Sequence, residues 1–101
     1  MSTPRATPIG TIRTRAVNGR FMSSQLYYDD QWLCVTDCLG HYTITHKPTT
    51  YCFGHFVSLR DATIACKLVA KCGVDWSQKK PKYSKDERAL VEPIVTRFGR
   101  M

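Results

Sequence analysis

The stretch from residue 51 to residue 73 limits the fold more than any other part of the chain. A short apolar run over residues 50–53, closed by Gly54, leads through a tight turn into a helix with both ends marked. Ser58 offers an N-cap oxygen, and Asp61 stands three residues later, where a carboxylate meets the unpaired amides of a first turn. Ala62, Ala65, Leu68, Val69 and Cys72 recur at helical spacing as one apolar stripe, and Arg60, Lys67 and Lys71 fall outside it. The basic residues near the end suit the helix dipole, and Gly73 is placed to stop the helix as a C′ residue.

The preceding residues read as strands. Residues 26–38, LYYDDQWLCVTDC, are rich in residues that favour a pleated surface: Tyr27, Tyr28, Trp32 and Val35. Asp29-Asp30 bends this run or divides it by a turn. Leu39-Gly40 marks the next turn. Over residues 41–46, Tyr42, Ile44 and His46 alternate with His41, Thr43 and Thr45, the period-two pattern of a half-exposed strand. Lys47-Pro48-Thr49 is a turn, because Pro48 has no amide to give a ladder. The expected fold is α+β: a three-stranded antiparallel sheet packed on one α-helix over residues 26–73. Trp32, Tyr51, Phe53 and Phe56 are its expected core rings, with Tyr27 or Tyr28 exposed. One sheet face covers the helix stripe and the other stays open to a partner.

Two basic flanks enclose this unit. Residues 1–25 carry four arginines and no acid. They form a flexible arm, or a short hairpin across residues 11–22 with a type I′ turn at Asn18-Gly19. Residues 74–101 read as a basic linker and a C-terminal helix. Trp76 packs back on the domain edge. Ser84 and Glu87 have capping-box spacing, and Leu90, Val91, Ile94, Val95 and Phe98 supply apolar positions. Pro93 should kink or divide this helix. Its apolar side is either a homodimer surface or a cover for the sheet edge.

Length and composition narrow the function. A chain of 101 residues holds one modest core. No apolar run reaches the 18–20 or so residues of a membrane span, and residues 1–10 contain no signal core. Five cysteines, an odd count, point to reduced thiols and a cytoplasmic setting. Cys38 with His41 and Cys52 with His55 have ligand-like spacing for zinc, but buried cysteines and surface histidines are the favoured reading, so no metal and no cofactor are expected. The sequence has no P-loop, no dinucleotide-binding glycine pattern and no paired catalytic carboxylates, so a non-enzymatic role is expected. The net charge of +7 calls for an anionic partner.

The run Tyr51-Cys52-Phe53-Gly54-His55-Phe56, followed by Ser58 and the steps Asp61-Ala62 and Ile64-Ala65, resembles ethylene-response-factor (APETALA-type) DNA-binding domains. The same strand-and-helix layout resembles the arm-binding domain of phage tyrosine integrases, with Trp32 similar to their early-strand aromatic. The resemblance covers residues 26–73. It implies double-stranded DNA as partner, with the open sheet face in the major groove. The corresponding positions here are Thr43, Thr45, Lys47, Thr50 and Cys52, and no arginine is among them. Arg13, Arg15 and Arg20 of the arm are therefore the expected backbone or minor-groove anchors, with Lys79, Lys80 and Lys82 holding phosphates from the other side. The expected function is that of a small DNA-binding protein, a phage or mobile-element regulator or recombination accessory factor. The alternative is a protein-binding inhibitor or adaptor, such as a phage protein that blocks a host nucleic-acid machine. Binding of RNA or single strands by the same flanks is a third reading.

Overall fold

A computed structural model describes residues 7–15, 18–38, 40–78 and 84–101. Five strands, β1 (Gly10–Arg15), β2 (Phe21–Asp29), β3 (Leu33–Cys38), β4 (His41–His46) and β5 (Cys52–Phe56), precede two helices, α1 (Leu59–Ala70) and α2 (Lys85–Phe98). The strands form one antiparallel sheet in the order β1-β2-β3-β4-β5, each hydrogen-bonded to its neighbour in sequence. The α+β class expected from the sequence is present, but the sheet has five strands where three were expected. The difference lies in the N-terminal flank. Gly10 pairs with Leu26 and Arg15 with Phe21, so the flank is structured sheet, and the division expected between residues 25 and 26 falls inside β2.

Asn18-Gly19 does turn the chain here, but not as a two-residue loop, because five residues separate the paired Arg15 and Phe21. The Asn18 side chain accepts from the Arg20 amide at 3.0 Å, an Asx turn. Asp29-Asp30 likewise ends β2, and the Asp30 amide donates to the Leu33 carbonyl at 2.8 Å. Bulges between Leu26 and Tyr28, and between Tyr42 and Ile44 on the β4–β5 ladder, sharpen the twist.

Register assigns the faces. Leu33, Val35, Ile44 and Phe56 form the core under α1 together with Ala62, Ala65, Cys66 and Val69. Ser58 caps α1 as expected, accepting from the Asp61 amide at 3.1 Å. The buried stripe differs from the expected one. Cys66 is buried, Leu68 is 42% exposed, and Lys71 is the C-cap, so Gly73 lies one position beyond C′. Trp76 folds back beneath the sheet, stacks on Phe53 at 5.8 Å and donates its indole N–H to the Val69 carbonyl at 3.0 Å. His46 reaches the Trp76 carbonyl with Nε2 at 2.6 Å and therefore donates there. Trp32, expected in the core, is 38% exposed. It sits in the β2–β3 turn, at the rim of a hollow it shares with Ala70, Lys71 and Trp76.

α2 begins with the expected capping box between Ser84 and Glu87. It runs unbroken through Pro93, which faces solvent. Val91 and Val95 join the core, and the chain then returns to the sheet. Arg100 and His55 exchange backbone hydrogen bonds at 3.0 and 2.6 Å, capping the outer edge of β5. This approach admits no side chain at Gly99, where a Cβ would lie 2.2 Å from the His55 carbonyl oxygen. Gly99→Ala is expected to free the C-terminal residues from β5 and to speed amide exchange at His55, as measured by hydrogen-exchange NMR.

Two thiols tie stability to pH. Burial, and the Asp29 carboxylate after it, push Cys34 up to about 12. Burial, then the neighbouring Cys34, does the same to Cys66, also to about 12. In the unfolded chain both ionise near the ordinary thiol value of 8.5–9 or so. Their contribution is therefore intact below about pH 9 and is lost as pH rises toward 12, by up to about 1.4 kcal/mol per thiol for each pH unit. Urea midpoints across the alkaline range are expected to fall less steeply in the Cys34→Ala/Cys66→Ala double variant than in the parent.

Candidate nucleic-acid interface

Arg13 and Arg15 lie two residues apart and so share one face of β1. Phe21 is the register partner of Arg15 and stands on that face too. The Arg13 guanidinium lies 4.1 Å from the centre of the Phe21 ring, and that of Arg15 lies 4.5 Å from it. Arg15 also reaches a second ring, 5.1 Å from the centre of Tyr51. Tyr51 comes into place because the sheet curls. The end of β1 meets the start of β5 in a parallel bridge, and the Arg15 amide donates to the Thr50 carbonyl at 2.7 Å. The result is a ladder of two cations and two aromatic rings, with exposed Arg20 beside it on the β1–β2 loop. Phe21 keeps 44% of its surface exposed. Among the described residues, no carboxylate pairs with Arg13, Arg15 or Arg20. Each cation–ring contact is worth about 0.5–1 kcal/mol at a surface, enough to orient a guanidinium without neutralising it.

The curl also closes the face that was expected to be open. Thr43 and Thr45 point away from α1, yet they are 2% and 0% exposed. They line the inside of the curled sheet with Thr14, Ser24 and Thr36. These hydroxyls bond to one another or to backbone: Thr14 to Ser24 at 2.9 Å, Thr36 to Thr45 at 2.9 Å, and Thr43 to the Phe53 carbonyl at 2.9 Å. Thr45 further meets the Cys52 thiol at 3.3 Å. Thr43 and Thr45 thus have no surface to offer a DNA groove, which corrects the sequence expectation. The cause is β1 and β2, whose pairing converts an exposed sheet face into an interior wall. A cavity of about 340 Å³ remains beside this wall, bounded by residues of all five strands, Arg15, Asp37 and Cys52 among them.

Lys47 is also engaged. Its ammonium contacts the Asp29 carboxylate at 2.7 Å and the Asp30 carbonyl at 2.8 Å, holding the β2–β3 turn to the end of β4. Thr50 acts through its backbone, which adopts φ +65° and presents its carbonyl to Arg15. Lys79, Lys80 and Lys82 lie outside the described residues. Of the cationic residues expected to anchor an anionic partner, the fold brings Arg13 and Arg15 together on Phe21, and Arg20 is exposed on the adjoining loop. Phe21 went unnoticed as a site residue, and Tyr51, expected in the core, is half-buried at the surface instead. The only signal for Phe21 was its distance from Arg15 across the Asn18-Gly19 turn, and Tyr51 joins through a contact 36 positions distant in sequence.

The cysteine–histidine pairs assemble differently from a zinc centre. His41 Nε2 lies 2.7 Å from His55 Nδ1 at the sheet edge, and no group of three or more His, Cys, Asp and Glu residues is arranged to hold a metal among the described residues. Burial, then the neighbouring His41 and Arg100, hold His55 below the ordinary histidine range. A base with a lowered folded pKa loses stability as pH falls below its unfolded value, here about 6.5. Among the described residues no helix is long and apolar enough to cross a membrane. Comparison of the chain with protein-family models, curated proteins and solved structures gave no match.

Two outcomes test this geometry. Thr50 is β-branched, and a left-handed backbone costs such a residue about 1–2 kcal/mol. Thr50→Gly is expected to raise the urea midpoint, corresponding to up to about 1 kcal/mol after the added chain entropy of glycine. His55 is expected to stay neutral to a lower pH than a free histidine, and His41→Gln, which removes one of the charges holding it down, should raise its midpoint in an NMR titration of the His55 ring.

Proposed function

We propose that this protein is a non-enzymatic nucleic-acid-binding protein that holds single-stranded DNA on the β1–β2 edge. The observation that carries the reading is the unpaired cation–ring ladder of Arg13, Phe21, Arg15 and Tyr51. Positive side chains track a phosphate backbone, and exposed rings stack on bases regardless of sequence. The first 25 residues supply four arginines and no acid, and Asp37, whose carboxylate meets β2 beside them, is tied to the Gln25 amide. Duplex recognition through the sheet face has less support, because Thr43 and Thr45 are buried. A regulatory or recombination-accessory role in a phage or mobile element fits a small basic binder of this kind.

Titration of salt against affinity, for single-stranded and duplex oligonucleotides, tests the proposal. The single strand is expected to bind more tightly. Replacing Arg13, Arg15 and Arg20 together by Ala should lower the slope of log affinity against log salt by about 2, at roughly 0.7 per phosphate contact. Phe21→Ala should weaken binding about 5- to 150-fold, the equivalent of one stacked base at about 1–3 kcal/mol, and leave the salt slope unchanged. Absence of binding to either oligonucleotide at moderate salt overturns the proposal in favour of a protein partner.

A further inference from the structure

His41 and His55 take no part in the nucleic-acid interface, yet the fold sets them face to face. His41 opens β4, and His55 stands in β5, the neighbouring strand. Nε2 of His41 lies 2.7 Å from Nδ1 of His55, with the ring centres 4.7 Å apart. Neither ring forms another hydrogen bond among the described residues. His46 is the contrast: it is buried with both nitrogens engaged, as a histidine serving the framework requires. His41 is half-buried and His55 is exposed, so their contact lies at the surface.

Backbone pairing fixes both residues. His41 is the register partner of Cys38 across the β3–β4 hairpin. Arg100 takes both the amide and the carbonyl of His55. Side chains held on paired strands are positioned more closely than side chains on loops. The two rings border a hollow of about 510 Å³, which Phe56, Val57 and Arg100 also line. The hollow leaves room for further ligands around the facing nitrogens.

We infer that His41 and His55 form a zinc-binding site, with water or a small anion in the remaining coordination positions. Zinc takes imidazole nitrogens at about 2.0–2.1 Å, and two such bonds at roughly 90–110° put the nitrogens about 2.9–3.4 Å apart. The pair has to part by only about 0.2–0.7 Å from its present separation. In the free pair, one neutral ring donates the proton of its facing nitrogen to the other. On binding, that proton moves to the far nitrogen of the same ring, both facing lone pairs go to the ion, and no net proton is released. Imidazole also suits copper, which the free thiols of Cys38, Cys52 and Cys72 would reduce, whereas zinc has no redox chemistry. Cys38 makes no three-ligand group with the histidines, so the site keeps open positions. Arg100, a cation beside the ion, favours an anion in one of them.

A zinc titration of the full chain, followed by NMR of the three histidine rings at about pH 7.5, above the ordinary histidine range, tests the site. The His41 and His55 rings are expected to shift together and to saturate near one ion per chain, and the His46 ring to stay in place. His41→Gln and His55→Gln should each weaken binding about tenfold or more, since losing one of two ligands costs at least as much as losing a ligand's supporting partner. Amide spectra of the two variants check that the fold is kept. Cys38→Ala should leave the titration unchanged. Zinc uptake that leaves the His41 and His55 rings unshifted, or that survives both glutamine variants, assigns the ion to thiols and overturns the inference. Absence of binding at about 1 mM zinc overturns it as well. The single-strand proposal rests on other residues and is untouched by either result.

Discussion

One backbone contact determines what this molecule presents to its surroundings. The Arg15 amide meets the Thr50 carbonyl at 2.7 Å and joins the first strand to the last. Without it, the meander would be an open, twisted sheet with α1 on one face and a threonine-rich surface on the other. With it, that second surface becomes an interior wall, Tyr51 is brought to Arg15, and a partly open cavity is left beside them. Thr50 holds a conformation that L-residues avoid in order to aim its carbonyl. Strain of about 1–3 kcal/mol persists only where its surroundings fix it, and His46, whose carbonyl accepts the Thr50 amide at 2.7 Å, is part of those surroundings.

His46 links this corner to the rest of the core. Its ring is 1% exposed, with Nδ1 at 2.8 Å from the Thr49 hydroxyl and Nε2 at the Trp76 carbonyl. Trp76 in turn stacks on Phe53 and bonds to the last turn of α1. A buried imidazole with both nitrogens engaged fixes the distance between the β4–β5 turn and the segment after α1. The surface ladder and the apolar core under α1 are therefore parts of one hydrogen-bonded framework, and the positions of the arginines depend on packing far from them.

How much of this was legible in the sequence follows from the range of each interaction. Ser58, Asp61 and the Ser84–Glu87 box act within four residues, and both helices begin where those residues indicate. The alternation over residues 41–46 is likewise local, and its strand is present. The N-terminal hairpin was one of two readings, open against a flexible arm, because its apolar residues are few: Ile12 is flanked by threonines and arginines, and its pairing depends on β2. Leu68 and Trp32 misled because helical spacing and ring size indicate what can be buried, whereas the position of the neighbouring elements decides what is. Arg13, Arg15 and Arg20 were recognisable by charge alone. Their arrangement with Phe21 and Tyr51 was not, since it requires both a cross-strand register and a closure between distant strands.

The neighbour-to-neighbour order of the sheet has a kinetic consequence. Every ladder from β1 to β5 joins strands consecutive in the chain, so each can form by closing a short loop. The link between Arg15 and Thr50 closes a far longer one, and it requires the four hairpins of the meander to be in register first. Folding should accordingly proceed by zipping the meander and docking α1, with the two ends of the sheet meeting last. The ladder and the cavity would then exist only in the fully native chain, and a partly folded molecule would expose its arginines without the rings that orient them.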